Sequence, residues 1–270
     1  GEFFMNFATA LMGRSRGGPA KVAVVSSAFM GSLSGSAVSN ILTTGTITIP
    51  AMKRSGYSRE YAAAVEACAS TGGTLMPPVM GAVAFIMASF LGVSYGEVMM
   101  AALLPALLFY LALLLQVDNY AARKGLEGMP AKDIPRLRDT LLSGWPYLLS
   151  LGVLIYMLLV MRMESQAPYY ATLVLLVIAL MRRQQRLRIS QLLDFFYKLA
   201  HGVGSLVAVL AGIGLVVGGL SYTGVAGAFS RELLLFAGDS IPLMLAAGAV
   251  TSFILGMGMT VSACYIFLSI

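Results

Sequence analysis

Val22 to Met52 reads VAVVSSAFMGSLSGSAVSNILTTGTITIPAM, 31 residues without a charge. The ends of this stretch are apolar, but its middle is not. Gly31 to Asn40 holds seven Gly, Ser or Asn in ten positions, and Thr43, Thr44, Gly45, Thr46 and Thr48 follow. Hydrocarbon offers backbone groups no hydrogen-bond partner, so a Gly/Ser-rich break at membrane depth survives only inside protein or beside a watery cavity. Breaks of this kind hold ions and solutes in secondary transporters.

The rest of the chain puts that stretch in a membrane. Hydrophobic residues make up 58% and charged residues 11%, with a mean hydropathy of +0.83, which excludes a soluble domain. Uncharged runs near the spanning length of about 20 residues recur at Val98–Val117, Thr140–Met161, Leu199–Leu220 and Ile241–Ile270. Cys68 and Cys264 both lie in apolar segments and outline neither a disulfide nor a metal framework. The net charge of +6 sits in loops beside apolar runs, where it sets topology and does not mark nucleic-acid binding.

Lys and Arg gather at Arg14, Arg16 and Lys21, at Lys53, Arg54 and Arg59, across Arg123 to Arg138, and across Arg182 to Lys198. The positive-inside rule places all four groups in the cytoplasm. Two passes then fit between Ala62 and Val117, turning near Ser94-Tyr95-Gly96-Glu97. Two more fit between Thr140 and Met181, turning at Glu164-Ser165-Gln166-Ala167-Pro168. Val22–Met52 is too short for two passes, because its arms of about 14 residues reach roughly 21 Å against a core of about 30 Å. A re-entrant hairpin that enters and leaves on the cytoplasmic side fits both length and charge. The alternative, one long tilted helix, would put one of the two flanking basic clusters outside.

The following segment is also interrupted. Glu60 to Ser70 reads as helix, Thr71-Gly72-Gly73-Thr74 breaks it, and Pro77-Pro78 starts a second helix running to about Leu91. Beyond Arg231 there is no Lys or Arg, and Ser252-Phe253-Ile254-Leu255-Gly256-Met257-Gly258-Met259-Thr260-Val261-Ser262 weakly echoes Ala28 to Val38. A similar motif entering from opposite faces is an inverted repeat. The chain therefore reads as an all-α polytopic membrane protein of inverted repeats, re-entrant helical hairpins and discontinuous helices. Residues 1–117 form a first repeat, with its hairpin at about 22–52 and its broken helix at about 60–91. Residues 118–139 and 182–198 are cytoplasmic basic loops around a connecting transmembrane pair at 140–181. Residues 199–270 begin a second repeat, and the chain reads as a fragment that stops within its second hairpin.

Two half-helix pairs meeting in the membrane supply both electrostatic signs. Carbonyls ending the first arms, near Leu33-Ser34-Gly35 and Ser70-Thr71-Gly72, suit a hard cation such as Na⁺. N–H groups opening the second arms, across Ser36 to Asn40 and after Pro77-Pro78, favour an anion. Ser34, Ser36, Asn40 and Thr71 add side-chain oxygens; the alternative is that these small residues only pack helices closely. Glu66 is a carboxyl group inside an apolar helix, and such groups mark functional sites. It lies two turns from Arg59, so reaching the cytoplasmic interface is its other reading. The candidate solute-binding set is Ser36, Ser39, Asn40, Glu66, Thr74, Pro77 and Pro78. His201 at a span boundary and the Met-rich stretches read as ordinary packing. No Ser/His/Asp, paired-carboxylate or zinc-ligand spacing is present, so the chain does not read as an enzyme.

Five stretches carry a resemblance: Gly17-Gly18-Pro19-Ala20-Lys21 through Ala28, Ser34-Gly35-Ser36-Ala37, Thr48-Ile49-Pro50, Met52-Lys53-Arg54-Ser55-Gly56-Tyr57, and Ala69-Ser70-Thr71-Gly72-Gly73 with Pro77-Pro78-Val79-Met80-Gly81. Together they resemble the large (M-type) permease subunit of TRAP (tripartite ATP-independent periplasmic) transporters, closest to the fused-permease branch that works with TAXI-type binding proteins. The resemblance implies a Na⁺-coupled elevator importer of carboxylates in the bacterial inner membrane. A soluble periplasmic binding protein would feed it, and a small (Q-type) permease domain, fused or separate, would accompany it. No cofactor is implied beyond Na⁺ as coupling ion, and no nucleic acid. The implied Na⁺ residues are Ser34, Gly35, Ser36 and Asn40 at the first tip and Ser70, Thr71, Gly72 and Gly73 at the first break. Gly256, Gly258 and Thr260 follow at the second tip, where Thr260-Val261 stands in place of the family's Pro-Thr. A Na⁺–dicarboxylate symporter working without a binding protein is the nearest alternative, and a channel or structural membrane subunit the next.

Overall fold

Every regular element among the described residues is helical. The computed structural model describes residues 2–181, 189–224, 228, 240–258 and 261–269, divided between a unit Gly1–Met181 and a unit Arg182–Ile270. The first unit runs α1 (Glu2–Met12), α2 (Gly18–Ser34), α3 (Ala37–Arg54), α4 (Arg59–Gly72), α5 (Ala82–Leu91), α6 (Tyr95–Lys124), α7 (Leu137–Leu159) and α8 (Ala167–Met181). A single 3₁₀ turn, Ala131–Asp133, interrupts the loop between α6 and α7. The second unit contains α9 (Ile189–Tyr222), α10 (Ile241–Gly256) and α11 (Val261–Leu268).

The hairpin arises from its own sequence. Gly35 closes α2 in the left-handed region at φ 60°, a conformation open to glycine at little cost, and donates its N–H to the Gly31 carbonyl. Ser36 immediately caps α3, its hydroxyl accepting the Ser39 N–H at 3.3 Å. Only two residues thus separate the arms, and α2 packs against α3 along its length. At 17 and 18 residues, the arms are longer than the expected 14 or so and reach roughly 26 Å, the lower end of the spanning range. Lys53 and Arg54 in the last turn of α3 face the negative end of its dipole.

The broken helix differs from its expected form. α4 continues through Gly72, the backbone is non-helical from Gly73 to Gly81, and α5 begins only at Ala82. Pro77-Pro78 therefore does not open the second half-helix; its peptide bond is cis and lies within the turn. Met80 and Gly81 follow at φ 54° and 89°, outside helical space, so α5 cannot start before them. Two boundaries also move. Tyr95, Gly96 and Glu97 belong to α6, whose N-cap is Ser94, and residues 189–198, expected as loop, are the start of α9.

Two apolar clusters hold the first unit together. One joins α2, α3, α4 and α6 through Ala20, Val24, Met52, Val65, Tyr110 and Val117. The other joins the turn and α5 to α6, α7 and α8 through Met80, Ala84, Tyr95, Met99, Leu154 and Ala171. Glu164, in the turn before α8, accepts the Tyr95 N–H and so caps α6 from across the bundle. The outer surface is apolar: Leu104, Leu108, Leu111 and Leu115 on α6 are 53–65% exposed. Tyr95–Lys124 and the stretch Ala131–Leu159 are long and apolar enough to cross a bilayer. An exposed leucine face on such a helix is what lipid requires.

Candidate functional site

The hairpin tip is docked, backbone against backbone, on the turn of the broken helix. The Val79 N–H donates to the Ser32 carbonyl at 3.0 Å. A Cβ built on Gly31 would strike the Cα of Gly73, and one on Gly35 would strike Gly81. A Cβ built on Gly81 would lie 2.6 Å from the Gly35 carbonyl oxygen. Two glycine pairs therefore let the end of α2 lie directly on the end of α4 and the start of α5. The turn is held from behind by Tyr95, whose hydroxyl reaches the carbonyls of Pro78, at 2.8 Å, and Val79.

Most of the expected tip residues meet here. Ser34 and Ser36 are exposed at the tip and contact each other, the Ser36 N–H lying 3.4 Å from Ser34 Oγ. Ser39 is exposed one turn into α3. Asn40 is 1% exposed. Its Nδ2 donates to the Ser27 carbonyl at 2.8 Å, while its Oδ1 is buried without a hydrogen-bond partner. The Ser27 contact sets which end of the amide is which, because a flip would bring two oxygens together. Asn40 also borders the glycine contact: a Cβ on Gly31 would lie 2.9 Å from Asn40 Nδ2.

On the broken helix, the Ser70 hydroxyl is engaged by Glu66 at 3.2 Å. Thr71 is exposed and donates back to the Ala67 carbonyl, and Thr74 donates to the Thr71 carbonyl, each at 2.8 Å. Gly72 packs on the Phe109 ring, and Gly73 on Gly31. Gly256 and Gly258 belong to the second unit, where both are exposed at the end of α10; Thr260 lies outside the described residues.

Glu66 does not reach the cytoplasmic interface. It has no accessible surface. Ser27, Thr44 and Ser70 donate to its Oε1 and Thr48 to its Oε2. Among the described residues no Lys, Arg or His pairs with it. Ser27, Thr44 and Thr48 were absent from the expected set, as was Tyr95. One signal for them was present: Asn40, Thr44 and Thr48 recur every four residues on α3, as Glu66 and Ser70 do on α4, giving each helix one polar stripe.

A group of ion pairs lies at the rim. Asp118, one residue beyond the apolar run of α6, binds both Arg16 and Lys21, the latter at 2.6 Å. The Arg16 guanidinium first, and then the Lys21 ammonium, holds the Asp118 carboxyl at about 2. Among the described residues no three His, Cys, Asp or Glu side chains converge as a metal cluster. The tip and turn thus offer hydroxyl, amide and carbonyl oxygens together with helix ends, the chemistry for holding a weakly bound ion and releasing it.

Among the described residues every regular element is helical, two stretches are long and apolar enough to cross a bilayer, and a hairpin tip is seated on a broken helix, the architecture of a helical membrane protein. Comparison with known proteins identifies its kind. The family model described as "Tripartite ATP-independent periplasmic transporter, DctM component" matches residues 1–270, and the chain belongs to that family. It is therefore part of an integral-membrane permease family. The C4-dicarboxylate TRAP transporter large permease protein of Vibrio cholerae is 36% identical over 126 residues, 47% of this chain and 27% of that protein. Its namesake in Pseudomonas aeruginosa is 35% identical over 126 residues, 47% and 29% of the two chains. The isethionate TRAP transporter permease protein of Oleidesulfovibrio alaskensis is 31% identical over 124 residues, 46% and 19%. The matched stretch thus spans under a third of the length of each of these relatives.

Proposed function

We propose that this chain forms the ion- and solute-holding part of a Na⁺-coupled permease that imports an organic acid by an elevator movement. The observation that carries the reading is Asn40 Oδ1, an amide oxygen buried beside the tip–turn contact without a partner. A buried acceptor left unpaired is costly, and a hard cation prefers oxygen ligands of this kind. Ser34, Gly35, Ser36 and Asn40 from the tip, with Ser70, Thr71, Gly72 and Gly73 from the break, are the candidates for Na⁺. Gly256, Gly258 and Thr260 are the corresponding candidates in the second repeat.

The solute's acid group would lie toward the helix starts that face the same region, the first turn of α3 behind Ser36 and the first turn of α5 behind Gly81. Ser36, Ser39, Asn40, Thr74, Pro77 and Pro78 are the candidates for contacting it. Glu66 is removed from the solute-contacting set, since it exposes no surface to touch one. Of the solutes named for the relatives, C4-dicarboxylate and isethionate are organic anions and ectoine is a zwitterion bearing a carboxylate, so each carries an acid group suited to this polarity.

The implied partners are a periplasmic TAXI-type binding protein and a small Q-type permease domain, fused or separate, in a multi-pass inner-membrane assembly built on inverted repeats. A tenfold Na⁺ gradient contributes about 1.4 kcal/mol per ion and 100 mV about 2.3 kcal/mol per charge, enough to concentrate a solute without ATP. The test is uptake of a panel of radiolabelled organic acids by the full-length permease in liposomes, with and without its binding protein. Accumulation that needs both an inward Na⁺ gradient and the binding protein is expected. Uptake indifferent to the binding protein would favour a stand-alone symporter.

A further inference from the structure

We propose that Glu66 is a positioning residue: it fastens both arms of the hairpin to α4, so that tip and turn keep their register and Asn40 keeps its place. The inference rests on the transport reading above and adds a role for a residue outside the ion and solute set.

The geometry is that of a clasp between helices. Glu66 projects from α4, and three of its four hydroxyl donors come from the hairpin: Ser27 on α2 at 3.2 Å, with Thr44 and Thr48 on α3. The fourth, Ser70, lies one turn further along α4, itself one turn before the break. Ser27 and Thr44 also stand 3.2 Å from each other, so the two hairpin arms meet at the one carboxyl oxygen that accepts both hydrogen bonds. Three hydroxyls meet Oε1 and one meets Oε2, and a buried carboxyl group requires hydrogen-bond partners of this kind.

The clasp connects to the site by a short path. The Thr44 hydroxyl that reaches Glu66 is also 2.8 Å from the Asn40 carbonyl oxygen. Asn40 Nδ2 binds the carbonyl of Ser27, whose hydroxyl reaches Glu66. Displacing Glu66 therefore loosens Ser27, whose carbonyl holds the Asn40 amide, and Thr44, one helical turn along α3 from Asn40. Without the clasp, tip and turn are joined by the Val79–Ser32 backbone bond and by the glycine contacts between Gly31 and Gly73 and between Gly35 and Gly81, none of which involves a side chain.

A covalent bond can replace the clasp. A Cβ on Gly45 would lie 3.1 Å from Glu66 Cγ, so cysteines at the two positions have Cβ atoms within reach of the roughly 3.5–4.5 Å that a disulfide spans. The experiment uses the full-length permease with its binding protein in liposomes, each variant checked for a monodisperse chromatographic profile. Glu66→Gln, which keeps the shape and most of the hydrogen bonds, should stay within about threefold of wild type. Glu66→Ala should raise the half-saturating Na⁺ concentration at least fivefold with a smaller change in maximal rate. The milder Thr48→Val should move it in the same direction. Gly45→Cys with Glu66→Cys should behave like Glu66→Ala when reduced and recover at least half of the wild-type affinity when oxidised. Failure of Glu66→Ala to fold, with folding regained by the oxidised pair, supports the clasp equally.

Glu66→Gln as damaged as Glu66→Ala would show that the acid itself is needed, and would overturn the proposal. So would a folded oxidised pair that no longer transports, because the hairpin would then have to part from α4. Wild-type uptake that ignores Na⁺ would count against the transport reading alone, and the same variant ratios would then be read on the half-saturating solute concentration.

Discussion

The amide of Val79 donates to the carbonyl of Ser32 at 3.0 Å, joining the last turn of one hairpin arm to the middle of the turn in the broken helix. This bond exists because Gly31 and Gly35 lack side chains where the backbones of Gly73 and Gly81 approach. Close backbone approach brings helix ends of both polarities into one place. That is what a cation and an acid group require of a site with little charge of its own.

The glycine contacts give a direct stability prediction. Gly31→Ala puts a methyl group into the Cα of Gly73 and against Asn40 Nδ2, an overpacking that costs about 1–3 kcal/mol. Gly152→Ala, in α7 with nothing within 4 Å of its new Cβ, should be neutral or stabilising by up to about 1 kcal/mol. Thermal midpoints of the two purified variants compare them. Equal midpoints would show that the tip does not lie on the turn as described.

The rim charges predict a pH dependence. Arg16 and Lys21 hold the Asp118 carboxyl at about 2, below the roughly 3.9 of a free aspartate. A carboxyl whose folded value is lowered contributes stability that is present above the unfolded value and is lost as pH falls through the folded one. Asp118→Asn should therefore lower the thermal midpoint by the same amount at pH 6 and pH 8, and the difference should shrink below about pH 4. A difference that varies between pH 6 and 8 would mean that another group titrates against Asp118.

Topology follows from the same rim. Single cysteines at Arg16 and Arg54, in a cysteine-free background, should react with an impermeant maleimide from the cytoplasmic side only. Positions in 118–139 should behave the same way. Reaction of Arg16→Cys and Arg54→Cys from opposite faces would replace the re-entrant hairpin with a span.

Much of the hairpin was legible, because Gly35 and Ser36 are residues that end one helix and cap the next, and a 31-residue uncharged stretch cannot cross twice. The break after α4 was legible as a break but not in its form. Proline at a helix start is the common pattern, yet here the Tyr95 hydroxyl holds the Pro78 and Val79 carbonyls in the turn from 16–17 residues away. Glu66 was open to two readings because its neighbours in sequence include Arg59. Its actual partners Ser27, Thr44 and Thr48 lie 18–39 residues away, a convergence that only helix packing creates. The four-residue polar stripe on α3 was the available clue.

The most direct measurement is the Na⁺ dependence of uptake by the full-length permease carrying Asn40→Ala, compared with wild type at saturating binding protein and solute. Contacts to a charged partner are worth about 1.5–3 kcal/mol, so loss of Oδ1 should raise the half-saturating Na⁺ concentration roughly tenfold or more. Folding should be retained, since alanine is a strong helix former at this α3 position and the side-chain bond lost is the one to the Ser27 carbonyl. An unchanged Na⁺ dependence in a folded, active Asn40→Ala permease would contradict the placement of the cation between the hairpin tip and the turn.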